Sequence, residues 1–375
     1  MKNKSILIIA GEESAERYGA ELIKEFKNFT DEYRFFGTGG QFMRDSGMEI
    51  LFDVNELSFI GIFEVITQIG KIWKIKKRME KEIERRKPAL SILIDFPDFN
   101  LMIAKKLKKY GIPVVYYISP TIWAWRRRRL NKIKKYVDLM LLIFPFEAEI
   151  YEKEKIKHKY IGHPLVSRVV KNMTDSEFRK NFNILDRKKV ISILPGSRMR
   201  EVKYHLPVIV EAVKMLKKEF DIETFLILAR NIDKEYLNRY LNEIRINIVK
   251  DKVYDVMGNS DLIIASCGTS NLEALLLEIP LIVVYKVMPI SYLLGRKFVK
   301  IDKFSIVNIL AGKEIIPELI QTRLTPGNIY NEALKILRSQ DKIEEMKTHF
   351  REIKEKLGYE NASKIAVEEI YKFLK

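Results

Sequence analysis

A single cysteine, Cys267, in 375 residues excludes an internal disulfide and any cysteine-rich metal site. That scarcity fits a reducing compartment, so the cytoplasm is the expected location. The four histidines are scattered and no carboxylate cluster has metal-ligand spacing, so neither a metal nor another cofactor is expected. No stretch approaches the roughly 20 uninterrupted apolar residues of a membrane-spanning helix. The apolar segment Ser5 to Ala10 is too short for a secretory core and reads as a buried strand. Low-complexity tracts, fixed-period repeats and long Pro/Gly/Ser linkers are missing as well.

The chain does hold enough apolar material, 47% against 31% charged, to bury two cores of ordinary size. Its formal charge of +17 points to polyanionic company: nucleic acid, an anionic membrane face or phosphorylated substrates. The cations gather in residues 71–87 and 105–135, and no acidic residue lies between Phe99 and Val137. Solvated helix faces account for any one such run, but Arg126 to Arg129 beside Trp123 and Trp125 suggest a surface with a purpose. RNA binding through that patch is a competing reading, which salt-dependent affinity for generic RNA would favour.

Short β-rich runs alternate with amphipathic segments of helix length, the pattern of βαβ units and parallel sheet. SILIIA (5–10), ALSILID (89–95), PVVYYIS (113–119) and LMLLIF (139–144) make one series. After a change of rhythm at 161–172, KKVISIL (188–194), TFLILA (224–229), DLIIAS (261–266) and PLIVVY (280–285) make a second. The expected architecture is α/β: two doubly wound Rossmann-like domains facing a cleft, residues 1–165 and 166–345, with a helical segment at 346–375. Chemistry is expected in the cleft, outside the carboxyl ends of the strands.

Three strand ends carry candidate chemistry. In LPGSRMREV (194–202) a strand turns at Pro195-Gly196 and a helix opens with Ser197 and Arg198 in its first turn. This is either an ordinary turn capped by serine or a diphosphate seat, with free N–H groups, a permissive glycine and a guanidinium fork. In SCGTSNLEALL (266–276) a second small-residue turn, Gly268 and Thr269, precedes a helix with Glu273 one turn inside, where an acid can accept both ribose hydroxyls. Two such loops favour a nucleoside diphosphate. Neither has the form G-x-G-x-x-G or G-x-x-x-x-G-K-[ST], which disfavours a dinucleotide or ATP on a P-loop. In ILIDFPDFN (92–100), Asp95 is the candidate general base for an attacking hydroxyl, while Asp98 is expected to cap the following helix with Asn100 in its first turn. His163 is the one histidine expected near the cleft. Residues 58–73 place Ile62, Val65, Ile66, Ile69, Ile72 and Trp73 on one helical stripe, leaving Phe59, Ile60 and Phe63 in excess ahead of a basic collar, as on a protein seated on anionic lipid.

FGTGGQFMRDSGMEILFDVNELSFIGIFEV, LIDFPDFNLMIAKKLKKYGIPVVYYISPTIWAWRRRRLNKI, FPFEAEIYE, IGHPL, LPGSRMREV, GTSNLEALL and VNILAGKEIIPELIQ together resemble the lipid-A-disaccharide synthase family, in family order over nearly the whole chain. The resemblance implies a GT-B glycosyltransferase fold. It also implies an inverting reaction in which UDP-2,3-diacylglucosamine and 2,3-diacylglucosamine 1-phosphate give UDP and a β-1',6-linked disaccharide phosphate at the inner face of the inner membrane. On this resemblance no nucleic-acid partner is expected. Asp95 is then the general base and Arg198 a diphosphate contact, with Glu273 and Asn308 helping to hold the nucleotide. Ser14-Ala15-Glu16 stands where the family usually reads Ser-Gly-Asp, on the acceptor side, and Ser167 where an aspartate is common. Another GT-B UDP-sugar transferase or epimerase with a different acceptor is the alternative within enzymes.

Overall fold

The structure, a computed structural model, describes residues 4–11, 13–56, 64–122, 129–229, 232, 236–237, 240, 244–288, 303–358 and 361–374. The chain forms two compact units, residues 1–167 with 357–375, and residues 168–356. The C-terminal segment expected to stand apart is shared: helix Gln340–Leu357 lies almost wholly in the second unit, and helix Ala362–Tyr371 belongs to the first.

In the first unit seven parallel strands run in the order β3-β2-β1-β4-β5-β6-β7. They are β1 (Ser5–Ala10), β2 (Arg34–Gly39), β3 (Met48–Asp53), β4 (Leu90–Ile94), β5 (Val114–Tyr117), β6 (Leu139–Leu142) and β7 (His158–Tyr160). Successive side chains of a strand point to opposite faces, so a sheet covered on both sides needs apolar residues at every position. Strand β1 shows this: Ile6, Ile8 and Ala10 join a core with Leu22, Ile23 and Phe26, while Leu7 and Ile9 join another with Met79, Ile83 and Ile103. Helix Glu64–Arg86 turns Ile72, Ile75, Met79 and Ile83 to that second core. Trp73, expected on the apolar stripe, lies off it and is 51% exposed.

In the second unit six parallel strands run β10-β9-β8-β11-β12-β13. They are β8 (Lys189–Leu194), β9 (Ile222–Ile227), β10 (Asn247–Val249), β11 (Leu262–Ser266), β12 (Leu281–Tyr285) and β13 (Glu318–Ile320). Each sheet reverses its order once, between β1 and β4 and between β8 and β11. At such a reversal the crossover helices leave to opposite sides and open a crevice at the strands' carboxyl ends. Five strands, β2, β3, β7, β10 and β13, escape the sequence pattern. β7, β10 and β13 have three residues each, too few for a period. β2 carries Gly37 and Gly39, which read as loop. Gly37 is there because its φ is +145° and a Cβ would sit 1.9 Å from the Ile8 carbonyl oxygen.

Candidate active site

The first reversal is built around Asp95. Strand β4 stops at Ile94, and Asp95 and Phe96 both adopt left-handed backbone, φ 46° and 47°, before Pro97 opens helix Pro97–Lys109. Two consecutive non-glycine residues in that region cost about 1–2 kcal/mol each. The turn is held by side chains: Asn100 Nδ2 donates to the carbonyls of Ile94 (3.2 Å) and Asp95 (2.7 Å), and the Tyr116 hydroxyl donates to the Asp95 carbonyl (2.5 Å). Burial, and next the Asp95 charge, push the Tyr116 hydroxyl well above its usual pKa, so it stays a donor. From the β1 side, Gly11 leaves room for the Phe96 ring: a Cβ there would meet it at 2.2 Å.

Asp98 does not cap the helix. The N-cap is Phe96, without a side-chain cap bond, and Asp98 instead meets Arg129 at 2.8 Å. Arg129, the last of the arginine run, has a side chain only 10% exposed, so it belongs to the fold as much as to any surface. Arg126 to Arg128 and both neighbouring tryptophans lie outside the described residues, as do Phe59, Ile60, Ile62 and Phe63.

Of the other first-unit candidates, Ser14 is half-buried near the start of helix Glu13–Phe29. Glu16 is 4% exposed, and its Oε1 accepts from the Phe42 amide (2.7 Å) at the start of helix Gln41–Asp45, with Gly40 packed against the carboxylate. His163 is buried between Tyr18 and Phe144, ring centroids 6.4 and 5.2 Å away. Its Nδ1 accepts from the Leu165 amide, which puts the proton of a neutral ring on Nε2.

At the second reversal two loops leave adjacent strands, since β8 and β11 pair with Leu194 opposite Ala265. Gly196 has φ +134°, and a Cβ would strike Glu201 at 2.5 Å. Ser197 and Arg198 precede helix Met199–Leu216 rather than sitting in its first turn, and both side chains are exposed. Glu201 Oε2 accepts their amides at 3.0 and 3.3 Å, satisfying donors that a helix start leaves open. Across the pair, Gly268 and Thr269 are exposed at the start of helix Thr269–Leu276. Glu273 is half-buried and its Oε1 accepts from the Tyr254 hydroxyl at 3.1 Å. Burial first, then the Glu273 charge, push that hydroxyl up to about 12, so it donates at every working pH.

Asn308 is placed differently from expectation. It is fully buried, its Nδ2 donates to the Ile316 carbonyl and to Glu318, and its Oδ1 accepts the amides of Ile315 and Ile316. That fills an amide's hydrogen-bonding capacity, so Asn308 shapes a loop rather than offering an atom to a ligand.

Two supporting residues had no sequence signal. Asn271 is buried and bridges the SCGT turn, accepting from the Gly268 amide and donating to the Ser266 carbonyl. His205 is fully buried and ties two strand ends together, Nδ1 to the Pro195 carbonyl (2.7 Å) and Nε2 accepting from the Lys286 amide (2.8 Å). Burial holds its imidazole below the usual pKa. Within helix Met199–Leu216 both it and its neighbours read as ordinary periodicity. Among the described residues no three His, Cys, Asp or Glu side chains gather as metal ligands.

One strand-order reversal thus carries a braced turn at Asp95, and the other carries glycine turns with an arginine and an acid nearby. A family model described as lipid-A-disaccharide synthetase matches residues 6–370. A lipid-A-disaccharide synthase from Nitrosococcus oceani is 39% identical over 356 residues, 94% of this chain and 92% of that protein. One from Myxococcus xanthus is 38% identical over 372 residues, 98% and 97%. Among solved structures, a UDP-GlcNAc 2-epimerase from Neisseria meningitidis bound to UDP-GlcNAc has a TM-score of 0.67 at 16% identity over 98% of this chain and 100% of that one. The glycosyltransferase of kitacinnamycin has a TM-score of 0.65 at 13% identity over 100% of each. These last two share the GT-B fold with this chain and no more. With the match running from strand β1 to the last described helix, the chain belongs to the lipid-A-disaccharide synthetase family, a family of glycosyltransferases.

Proposed function

We propose that this protein transfers 2,3-diacylglucosamine from its UDP derivative to the primary hydroxyl of 2,3-diacylglucosamine 1-phosphate, releasing UDP and forming the β-1',6-linked disaccharide phosphate. The observation that carries the reading is the family match across 6–370. In the reaction the acceptor oxygen bonds to the donor's anomeric carbon as the bond from that carbon to the diphosphate breaks, and the configuration inverts. A primary hydroxyl is far too weakly acidic to ionise beforehand, so a carboxylate takes its proton during attack: Asp95. The departing diphosphate gathers negative charge, which Arg198 and the polar loop of Gly196 and Ser197 stabilise, a preorganised seat near a helix start. Gly268 and Thr269 admit the nucleotide to the second loop, and Glu273, oriented by Tyr254, accepts the ribose hydroxyls. Ser14, Glu16 and His163 shape the acceptor side, Glu16 by holding the turn at Gly40.

The acyl chains of both substrates require a lipid surface. Among the described residues no helix is long and apolar enough to cross a membrane. Peripheral binding is supported by Trp73, exposed on helix Glu64–Arg86 among Lys71, Lys74 and Lys77 and stacked under the Lys76 ammonium at 4.9 Å. An aromatic ring amid cations suits an anionic headgroup layer, here the inner face of the inner membrane, with Phe59, Ile60 and Phe63 as the inserting side chains.

The deciding experiment incubates purified protein with UDP-diacylglucosamine and diacylglucosamine 1-phosphate and reads the product mass. Appearance of the disaccharide phosphate with UDP supports the reading. Hydrolysis or epimerisation of the donor, with no disaccharide, refutes it.

A further inference from the structure

We infer that Asn100 and Tyr116 are positioning residues for the Asp95 carboxylate, holding by its carbonyls the left-handed turn that aims it; this rests on Asp95 being the general base.

The direction in which the Asp95 side chain leaves the backbone depends on its φ and ψ, hence on the two peptide planes flanking its Cα. Asn100 reaches both. One hydrogen of its Nδ2 goes to the Ile94 carbonyl, which belongs to the plane before Asp95, and the other to the Asp95 carbonyl, which belongs to the plane after it. Tyr116, from the neighbouring strand β5, donates to that second carbonyl as well. Two side chains thus fix the orientation of a third residue's Cα–Cβ bond. The Asp95 amide completes the frame by donating to the Tyr117 carbonyl at 3.1 Å.

The arrangement is costly in a way that a simple strand-to-helix connection would not require. A glycine at either position would adopt the left-handed turn without strain, yet both residues carry side chains. Asn100 is fully buried, and among the described residues its Oδ1 has no hydrogen-bond partner, so the amide serves here through its two donors. Backbone strain maintained by buried hydrogen bonds at a strand-order reversal is how a site keeps a reactive group in one place.

The test compares Tyr116→Phe and Asn100→Ala with Ile23→Val, a core truncation on the other face of the sheet, measuring kcat, KM, UDP affinity, the pH dependence of kcat/KM and Tm. A general base displaced by a fraction of an ångström loses rate rather than substrate. Tyr116→Phe should lower kcat about tenfold or more and Asn100→Ala further. UDP affinity should stay unchanged and the acid limb of the pH profile should persist, because the carboxylate is still present. Ile23→Val should lower Tm and keep its kcat. If both tether variants lower Tm yet turn over like Ile23→Val, the inference is overturned. Should Asn100→Ala not fold, the isosteric Tyr116→Phe decides alone. Asp95→Asn with wild-type turnover would instead remove the base assignment and the inference with it; an inactive Asp95→Asn beside a fully active Tyr116→Phe overturns the inference only.

Discussion

At the reversal between β1 and β4 the chain turns through Asp95 and Phe96, left-handed residues that carry side chains; at the reversal between β8 and β11 it turns through Gly196 and Gly268. The first turn is braced by Asn100, Tyr116 and the fit of Phe96 over Gly11. The second is pinned from behind, by Glu201, Asn271 and His205, and its outer side is exposed. Under the proposed function, the difference follows from the tasks. A group that takes a proton at one moment of a reaction must be held in place, and left-handed strain offset by buried donors does that. A seat for a diphosphate needs backbone that a ligand can approach closely, and glycine supplies it.

The contrast is tested first where it is sharpest. Asp95→Asn keeps the shape and removes the basic lone pairs, so turnover should fall roughly 100-fold or more while UDP affinity and Tm stay near wild type. Steady-state kinetics with calorimetric UDP titration reads both. Arg198→Ala is the mirror experiment: loss of a charge-assisted contact should weaken UDP roughly 10- to 100-fold. Fluorescence or calorimetric titration showing unchanged affinity would take Arg198 out of the seat.

Asp98→Asn is a smaller effect and separates the two carboxylates. Asp98 is 70% exposed and pairs with the buried Arg129, so its loss should cost about 1 kcal/mol or less in denaturant unfolding and leave turnover near wild type. An inactive, folded Asp98→Asn would exchange the roles assigned at that strand end. The smallest signal is a pH dependence. The folded chain holds His205 below its usual pKa, mainly by burial, so below about pH 6.5 the unfolded chain binds more protons. Stability should therefore fall as pH drops through that value, until the folded imidazole itself titrates and the Lys286 bond to Nε2 is lost. Tm measured from pH 7.5 to 5.5 checks the slope, and His205→Gln should flatten it.

Much of this was legible in one dimension because burial on both faces of a parallel sheet demands near-continuous apolar runs, and the turns that end them stand out. SILIIA, KKVISIL and DLIIAS become β1, β8 and β11 with shifts of a residue or so, and the residues just past them are the site candidates. The three-residue strands were not legible, nor was β2, where Gly37 serves packing against β1 and Gly39 packing against Met43 and Ile50 rather than a turn. Trp73 looked inward on a stripe drawn from spacing alone; helix Glu64–Arg86 is rolled so that Ile75, Met79 and Ile83 take that place.

By itself, the sequence determined the α/β alternation, the two glycine turns, the acid at the end of β4 and the family, since each depends on local residue order. The tertiary structure alone decided that those strand ends stand at the order reversals. It also decided that Asp98 answers Arg129 31 positions away, that Asn308 is consumed by Ile315, Ile316 and Glu318, and that His205 joins Pro195, 10 positions before it, to Lys286, 81 positions after it. Those facts depend on which distant groups meet when the sheets are covered. A buried hydrogen-bonding group takes its partner from whatever packing brings within about 3 Å, and neither composition nor spacing carries that distance.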